Sequence, residues 1–268
     1  MNRAVEIAHC DGVLTAASLM VGAPAAADAV ETARRLPGLA VGLHLALVDA
    51  EPVLPASAVP DLVDAHGRFR PNIALSGAST FFLPRVRRQM LAEVRAQFEA
   101  FRATGLKLDH VTAHRHFHLH PSVTSAILDL KTEFNVKAVR APLEPRTVLT
   151  RIEGGNPRLA AAALGPFARL QRLRLRKAGI AMPDQVFGLG WSGAMTSSRL
   201  AELIANLPDG VSEIYAHPAT ATGFAGAAQG YRYPEELAAL TSPEVRRQIA
   251  EGGIASGGFA GAIDFRRQ

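Results

Sequence analysis

Cysteine and aromatic residues are scarce in this chain of 268 residues. It has one cysteine, Cys10, and aromatic residues make up only 6% of it. A single cysteine excludes a disulfide framework within the chain and is typical of a reducing compartment. No apolar run approaches the ~20 residues that span a bilayer, and the N-terminus lacks the pattern of a secretory signal. We therefore expect a cytoplasmic protein.

Charge is only mildly unbalanced, with 29 basic residues against 24 acidic ones. The small excess is compatible with an anionic surface as a partner. No basic motif with interleaved aromatic residues is present, so nucleic acid is not a predicted partner. Hydrophobic residues make up 48% of the chain, which is enough for a large buried core.

Apolar segments rich in β-branched residues alternate with amphipathic segments along the chain. The pattern predicts strands at 13–21, 39–48, 106–113, 136–141, 185–189 and 211–217. It predicts helices at 2–9, 25–36, 85–104, 121–134, 197–207, 234–240 and 243–251. This alternation is typical of a parallel sheet in an α/β fold. We predict one domain over residues 1–268, with a long functional loop at 49–84.

A basic helical insertion at about residues 145–182 interrupts this alternation. Apolar and basic side chains occupy different faces of a helix predicted there, with Phe167, Leu170 and Leu173 on one face and Arg169, Arg172 and Arg176 on another. We favour a surface helix packed on the body of the protein. The alternative is a helix that contacts anionic lipid headgroups or an apolar substrate tail, which would place the protein peripherally at the inner membrane.

Four of the nine histidines alternate within eight residues, at His114, His116, His118 and His120. In an extended chain all four would point to one face. Such a face is unsuited to core packing, whereas neutral imidazole is a common metal ligand and proton carrier. We interpret the run as part of a functional site rather than as a solvated edge.

Three histidines belong to different predicted strands, each near the C-terminal end, where α/β barrels place their chemistry. They are His44, His114 and His217. Two histidines and a carboxylate could hold a divalent ion, and a third histidine could protonate a leaving group. The alternatives are a core residue for His44 and a capping residue for His217. Further candidates for substrate binding or for orienting ligands are His116, His118, Arg140 and Glu144, of which the last two could instead form an internal ion pair.

Six segments together resemble the YdjC/ChbG-like carbohydrate deacetylase family, and in particular its hopanoid-biosynthesis branch, HpnK. They occur in the family's order and span nearly the whole chain. The segments are Asp11-Gly12-Val13-Leu14-Thr15-Ala16-Ala17-Ser18-Leu19-Met20, Val41-Gly42-Leu43-His44-Leu45, the run from His114 to Pro121, Arg140-Ala141-Pro142-Leu143-Glu144, Phe187-Gly188-Leu189 with Trp191-Ser192-Gly193, and Glu213-Ile214-Tyr215-Ala216-His217-Pro218.

The resemblance implies a (β/α) barrel of the polysaccharide-deacetylase type, with one divalent ion, Mg²⁺ or Zn²⁺, held by Asp-His-His. His44 and His114 match the two histidine ligands, and His217 matches a late histidine that is a candidate general acid. The implied reaction removes an acetyl group from an N-acetylglucosamine moiety. The hopanoid branch implies an amphiphilic sugar-lipid substrate. The sequence leaves open whether the protein forms a homodimer.

One departure from the family concerns its first strand, which ends in Asp-Asp-Phe-Gly and supplies the metal carboxylate and the probable base. This sequence has no Asp-Asp pair. We therefore expect a barrel that lacks its first strand, weak metal binding and little deacetylase activity, unless the natural start lies upstream. The competing hypothesis is a non-catalytic sugar- or lipid-binding module that uses the same pocket. A phosphoesterase ranks last, because it would need more carboxylates at strand ends.

Overall fold

The first half of the chain forms a parallel three-stranded sheet whose strands follow the order of the sequence. The computed structural model describes residues 1–154 and 164–261. The strands are β1 (Ala16–Leu19), β2 (Ala40–Leu45) and β3 (Leu108–Ala113), and α1 (Asn2–Cys10) and α2 (Ala26–Arg35) lie before and after β1. Each strand is shorter than the predicted apolar run, because only part of each run pairs with a neighbour.

The connection between β2 and β3 contains two helices, α3 (Ile73–Phe82) and α4 (Pro84–Ala103). The prediction of a loop through 49–84 was wrong for α3. Asn72 caps this helix by accepting a hydrogen bond from the backbone N–H of Leu75 at 3.0 Å. The sequence of this helix has no amphipathic pattern that would predict it. In the structure its large apolar residues face solvent and only Thr80 is buried.

The second half of the chain forms a two-stranded parallel sheet surrounded by helices. The strands are β4 (Gln185–Phe187) and β5 (Ser212–Ile214). The helices of this half and of the segment before it are α5 (Pro121–Leu130), α6 (Arg146–Glu153), α7 (Gly165–Lys177), α8 (Ser197–Ala205), α9 (Tyr233–Leu240) and α10 (Pro243–Glu251). The apolar residues of this half form a core of their own around Phe187 and Leu203.

Isolated parallel bridges extend the first sheet beyond β3. Val139 bridges Val111 of β3, and Ala138 bridges Ala181. The predicted strand at 136–141 is therefore present only as single bridges. The fold is mixed α/β, as predicted. Within residues 1–154 and 164–261 the strands form two sheets and not a closed barrel, so the barrel and its missing first strand stay predictions.

The basic insertion contains α6 and α7, and its residues 155–163 lie outside the described part of the chain. The predicted amphipathic helix is confirmed in α7, but its apolar stripe faces away from the protein. Phe167, Leu170 and Leu173 are 45–61% exposed, whereas Ala168 and Leu175 are buried. Helix α7 therefore packs on the protein through Ala168 and Leu175, and its apolar stripe stays exposed. Among the described helices, none has both the length and the apolar character to cross a bilayer.

Candidate functional site

The histidine run does not continue β3 as an extended strand. The strand ends at Ala113, and residues His114–Leu119 form a tight turn of 3₁₀ type. Within this turn Arg115 and His116 have φ values of 50° and 56°, which is the left-handed region that non-glycine residues rarely adopt. The prediction that the four histidines share one face is therefore wrong.

The turn sends the four side chains to different places. His114 and His116 line a cavity of about 2330 Å³ that also contains His44 and His217. His118 is completely buried and its Nε2 lies 2.8 Å from the carbonyl oxygen of Arg140. His120 caps α5. The structure thus brings together the three histidines predicted from separate strands and adds His116 to them.

His44 is oriented by the neighbouring strand. The parallel register places it beside Thr112, and its Nδ1 lies 2.7 Å from the Thr112 hydroxyl. The rings of His44 and His114 are 6.0 Å apart at 74°. With Nδ1 donating to Thr112, the Nε2 lone pair of His44 is left for a ligand.

A buried hydrogen-bond relay extends from Thr112 across the sheet. The Thr112 hydroxyl donates to Ser18 Oγ at 3.0 Å, and Ser18 Oγ lies 2.9 Å from His110 Nε2. His110 Nδ1 in turn lies 2.9 Å from the Asp109 carboxylate. All four hydrogen bonds of the relay are consistent with one direction of donation, from His44 toward Asp109. The sequence did not predict this relay, although His110, Thr112 and His114 occupy every second position at the end of β3 and just after it.

Asp109 ends the relay as a carboxylate. Burial raises its pKa, but the hydrogen bonds from His110 and from two backbone N–H groups outweigh burial and lower the pKa below its ordinary value. The two N–H groups belong to Phe259 and Ala260, at 2.9 and 3.1 Å. The Phe259 ring stacks on His110 with centroids 4.1 Å apart. The segment after α10 therefore closes the relay from the opposite end to His44.

A second group of polar residues lines the cavity near β5. Arg140 donates from Nε and Nη2 to Glu213 Oε1 at 2.8 and 2.5 Å, and its guanidinium lies 4.6 Å from the centre of the Tyr215 ring. The Tyr215 hydroxyl lies 3.2 Å from His116 Nε2. Glu213 and Tyr215 belong to one of the segments that resemble the family, but the sequence alone assigned them no role, because their partners are remote in the sequence.

Arg140 and Glu144 do not form the ion pair that was considered. The Glu144 carboxylate instead accepts hydrogen bonds from the backbone N–H groups of Gly188, Leu189 and Gly190 at 2.8–3.0 Å. Neither Glu144 nor His118 lines the cavity. Both residues support the site by holding its backbone in place. Glu144 holds the segment after β4, and His118 holds the backbone carbonyl of Arg140.

His217 lies at the edge of the cavity, after β5. Its backbone N–H donates to the buried Glu236 carboxylate at 2.6 Å, and its ring is 5.2 Å from that of Tyr231. Its Nδ1 is buried without a hydrogen-bond partner, while 34% of the side chain is exposed. The Nε2 edge of the ring is therefore the one that can meet a ligand.

Burial keeps the histidines of the site in their neutral form. It lowers the pKa of His44 and of His116 well below the ordinary value, and it lowers the pKa of His114 as well. Burial also lowers the pKa of His217 to about 4, with the positive charge of Arg140 as a further cause. Burial raises the pKa of Tyr215, so its phenol stays protonated. The site thus presents neutral imidazoles near pH 7.

The donor set for a metal ion is incomplete in the described residues. His44 and His114 offer two imidazoles, which suit a divalent ion. No group of three histidine, cysteine, aspartate or glutamate side chains in residues 1–154 and 164–261 is arranged to hold one. Asp49 acts on His114 electrostatically but is paired with Arg115 at 2.8 Å. The residues present therefore do not form a full metal site, and the predicted ion stays a prediction.

Residues 1–251 match the YdjC-like protein family. The chain belongs to the YdjC-like family. This match confirms the family predicted from the sequence motifs. The hopanoid-biosynthesis branch within the family stays a prediction.

Similar proteins from several bacteria are described as carbohydrate deacetylases. The protein from Geobacillus stearothermophilus is 30% identical over 258 residues, covering 95% of this chain and 89% of the relative. The Brevibacillus brevis protein is 38% identical over 142 residues, covering 53% of this chain and 54% of the relative. A Vibrio vulnificus relative is 35% identical over 136 residues and is matched over 51% of its length. Apart from the Geobacillus protein, the match spans about half the length of these relatives.

A solved structure from Enterococcus faecalis V583 resembles this fold along nearly its full length. It belongs to a protein assigned to cellobiose-phosphate cleavage. The TM-score is 0.70, with 97% of this chain and 92% of that chain covered at 24% sequence identity. The likeness supports the mixed α/β architecture of the YdjC type.

Proposed function

We propose that this chain is a carbohydrate deacetylase, an amide hydrolase that removes the acetyl group from an N-acetylglucosamine moiety. The observation that carries the proposal is a cluster of four neutral histidines, His44, His114, His116 and His217, around one cavity. Beside this cavity, Nδ1 of His116 and Oε2 of Glu213 are buried without a partner. Unpaired buried polar atoms are rare in folded proteins and favour a site that receives a polar ligand. The names of the relatives supply the reaction class.

His217 is the proposed proton carrier. With a pKa of about 4 it is neutral near pH 7, so its Nε2 accepts a proton from the attacking water. The water oxygen bonds to the acetyl carbonyl carbon and forms a tetrahedral intermediate. When the C–N bond breaks, the same imidazolium returns the proton to the amine nitrogen. The products are acetate and the free amine, and His217 ends in its initial state.

Tyr215 and Arg140 are the proposed stabilisers of the negative charge on the carbonyl oxygen. The Tyr215 phenol keeps its proton and can donate it in a hydrogen bond. The guanidinium of Arg140 lies against the Tyr215 ring and adds positive potential. His116 holds the Tyr215 hydroxyl at 3.2 Å. A fixed donor aimed at developing charge typically contributes ~10²–10³ in rate.

The substrate in this proposal is an amphiphilic glycolipid, such as an N-acetylglucosaminyl hopanoid. The cavity of about 2330 Å³ is larger than a single sugar needs. His44 and His114 are the proposed histidine ligands of a Mg²⁺ or Zn²⁺ ion. No step above is routed through such an ion, because its third ligand is not among the described residues.

The test is acetate release from an N-acetylglucosamine disaccharide and from an N-acetylglucosaminyl lipid. We expect weak release from this chain and stronger release from one extended upstream, and we expect His217→Ala to reduce either by ~10²-fold or more. His66→Ala is the matched control, since His66 is exposed and remote from the cavity. The same assay on a chain extended upstream, together with metal analysis of both, tests the predicted weak activity and metal binding. Absence of acetate from both chains would refute the proposal.

A second candidate function is a non-catalytic sugar- or lipid-binding module. The specific observation in its favour is that the described residues offer two metal-binding imidazoles without a third ligand. Calorimetry with the intact N-acetylated disaccharide separates the two candidates. Binding without acetate release in either the given or the extended chain would select the module.

A further inference from the structure

Exposed large hydrophobic side chains are concentrated in two segments. Ten such side chains occur in the described residues, and eight of them form what we call the apolar face: Ile73, Leu75, Phe81, Phe82 and Leu83 at α3, and Phe167, Leu170 and Leu173 on α7. Scattered apolar residues are ordinary on a protein surface, but a concentration of this kind marks an interaction site.

Helix α3 has the polarity opposite to that of an ordinary surface helix. It contains no charged residue, and Thr80 is its only buried residue. Leu75 and Phe82 are 68% and 73% exposed. Exposure of this apolar area to water is unfavourable by about 25 cal/mol per Å². The helix is therefore suited to an apolar environment outside the described fold.

Helices α3 and α7 approach the same first turn of α5. The Phe81 ring lies 6.2 Å from the ring of His120, which caps α5. On the α7 side, Arg174 donates to the carbonyl oxygen of Pro121 at 2.8 Å and to Ser125 Oγ at 2.7 Å. The two parts of the apolar face thus flank one short stretch of the protein.

The two segments that carry the apolar face contain only basic charged residues, and Asp61 from outside them pairs with Arg85 at 2.7 Å. Residues 73–88 and 164–178 contain eight arginine and lysine residues and no aspartate or glutamate. In the described part of the chain, exposed basic side chains without an acidic partner within salt-bridge distance include Arg88, Arg169, Arg176 and Lys177. Apolar side chains bordered by unpaired arginine and lysine form the pattern of a helix that lies in a membrane interface.

We propose that the apolar face docks on an anionic lipid bilayer, with its apolar side chains among the acyl chains and its arginines at the headgroups. Each Lys or Arg near an anionic leaflet strengthens binding by roughly fivefold. A second copy of the chain fits the face less well, because two copies would bring the same exposed basic side chains, Arg88, Arg169 and Lys177, toward each other. Charge complementarity therefore selects the bilayer.

Helix α7 connects the apolar face to the cavity, because its Arg172 and Arg176 line the cavity while Phe167, Leu170 and Leu173 are exposed. The carbonyl oxygen of His118 accepts a hydrogen bond from Gln171 of α7 at 3.1 Å, while His116 of the same turn lines the cavity. In the docked protein, α7 and the histidine turn would lie between the lipid surface and the cavity. Bilayer binding itself does not depend on the proposed deacetylase activity.

The test is sedimentation of the full chain with vesicles of phosphatidylcholine alone and of phosphatidylcholine with 30% phosphatidylglycerol. We expect binding to the anionic vesicles, and we expect salt to weaken it. Phe82→Ser with Leu173→Ser should abolish it, whereas Leu91→Ser, at 37% exposure outside the face, should not. Arg169→Glu with Lys177→Glu should weaken it by about tenfold or more, and Arg246→Glu on α10 is the charge control.

Three results would overturn the proposal. The first is no binding to anionic vesicles by a chain with native circular dichroism. The second is binding that the Phe82→Ser and Leu173→Ser double variant retains. The third is a dimer in sedimentation velocity that this double variant dissociates, since the face would then belong to a second copy. Acetate release is measured separately, so a failure of docking is distinguishable from a failure of the deacetylase proposal.

Discussion

The two halves of the chain hold their site residues in different ways. In the first half, side chains on paired strands bind each other, as His44 binds Thr112 and Thr112 binds Ser18. In the second half, buried carboxylates bind backbone N–H groups, as Glu144 binds residues 188–190 and Glu236 binds Met195 and His217. Regular strand pairing positions side chains directly, whereas irregular loops need a polar side chain to hold their backbone.

The largest effect is expected from loss of the Glu236 carboxylate in the second half. Glu236→Ala leaves the N–H groups of Met195 and His217 without their acceptor, at 3.0 and 2.6 Å in the native protein. Two unsatisfied buried donors should lower the free energy of unfolding by about 3 kcal/mol. Urea denaturation measures the change. Glu235→Ala, at an exposed ion pair with Arg232, is the matched control, and an equal loss in both variants would contradict the carboxylate's role.

The next effect is a loss of stability in acid, to which both halves contribute. Burial lowers the pKa of His118 to about 3 and that of His217 to about 4, against about 6.5 in the unfolded chain. Below pH 6.5 the unfolded state binds more protons, so stability is present above that pH and falls as pH decreases toward the folded pKa values. From pH 7 to pH 5 each histidine should cost roughly 2 kcal/mol before allowance for its exposure.

His217 should show less than this value, because a third of its side chain is exposed and solvent screens its charge. Urea denaturation at pH 7, 6 and 5 measures the slope. His118→Asn should be less stable at pH 7 but should flatten the slope, whereas His66→Asn, at an exposed position, should leave the slope unchanged. A slope that His118→Asn does not alter would argue against its neutral burial.

A smaller effect is expected from breaking the strand-to-strand relay of the first half. Thr112→Val keeps the shape of the buried side chain but removes its bonds to His44 and Ser18. We expect a loss of about 1–2 kcal/mol and a change in the nitrogen chemical shifts of the His44 ring. Ser18→Ala should leave the His44 shifts closer to native, because the Thr112 contact remains. Unchanged His44 shifts in Thr112→Val would contradict the proposed orientation.

The smallest effect is expected from the ion pair that flanks the histidine turn. Asp49 and Arg115 are 2.8 Å apart and roughly half exposed, and exposed pairs contribute about 0–1 kcal/mol. Asp49→Asn should therefore lower stability by about 0.5 kcal/mol, less at high salt. Thermal melting at two salt concentrations measures it. A loss as large as that of Thr112→Val would show that the pair sets the turn's left-handed backbone.

Prediction from sequence worked best where a local pattern and the tertiary environment agreed. Helix α10 (Pro243–Glu251) has the predicted bounds and α4 differs by one residue at each end, because proline and helical periodicity mark them. His44, His114 and His217 line one cavity, as their positions near the C-terminal ends of predicted strands suggested. Their individual chemical roles stay predictions.

Prediction failed where a backbone conformation depends on remote contacts. Alternating histidines favour a strand, yet His114–Leu119 turn sharply, with Arg115 bound to Asp49 and His118 bound to the Arg140 carbonyl. Helix α3 escaped prediction because its apolar residues face outward. The Arg140–Glu213 pair escaped because the two residues are 73 positions apart.

The sequence by itself determined the alternation of strands and helices, the α/β class and the family, since these depend on local periodicity and on motifs in a fixed order. Only the tertiary structure decided which side chains meet. The relay from His44 to Asp109, the partner of Arg140 and the outward orientation of α3 follow from strand register and helix packing. Those contacts join residues tens of positions apart, and no local pattern in the chain encodes them.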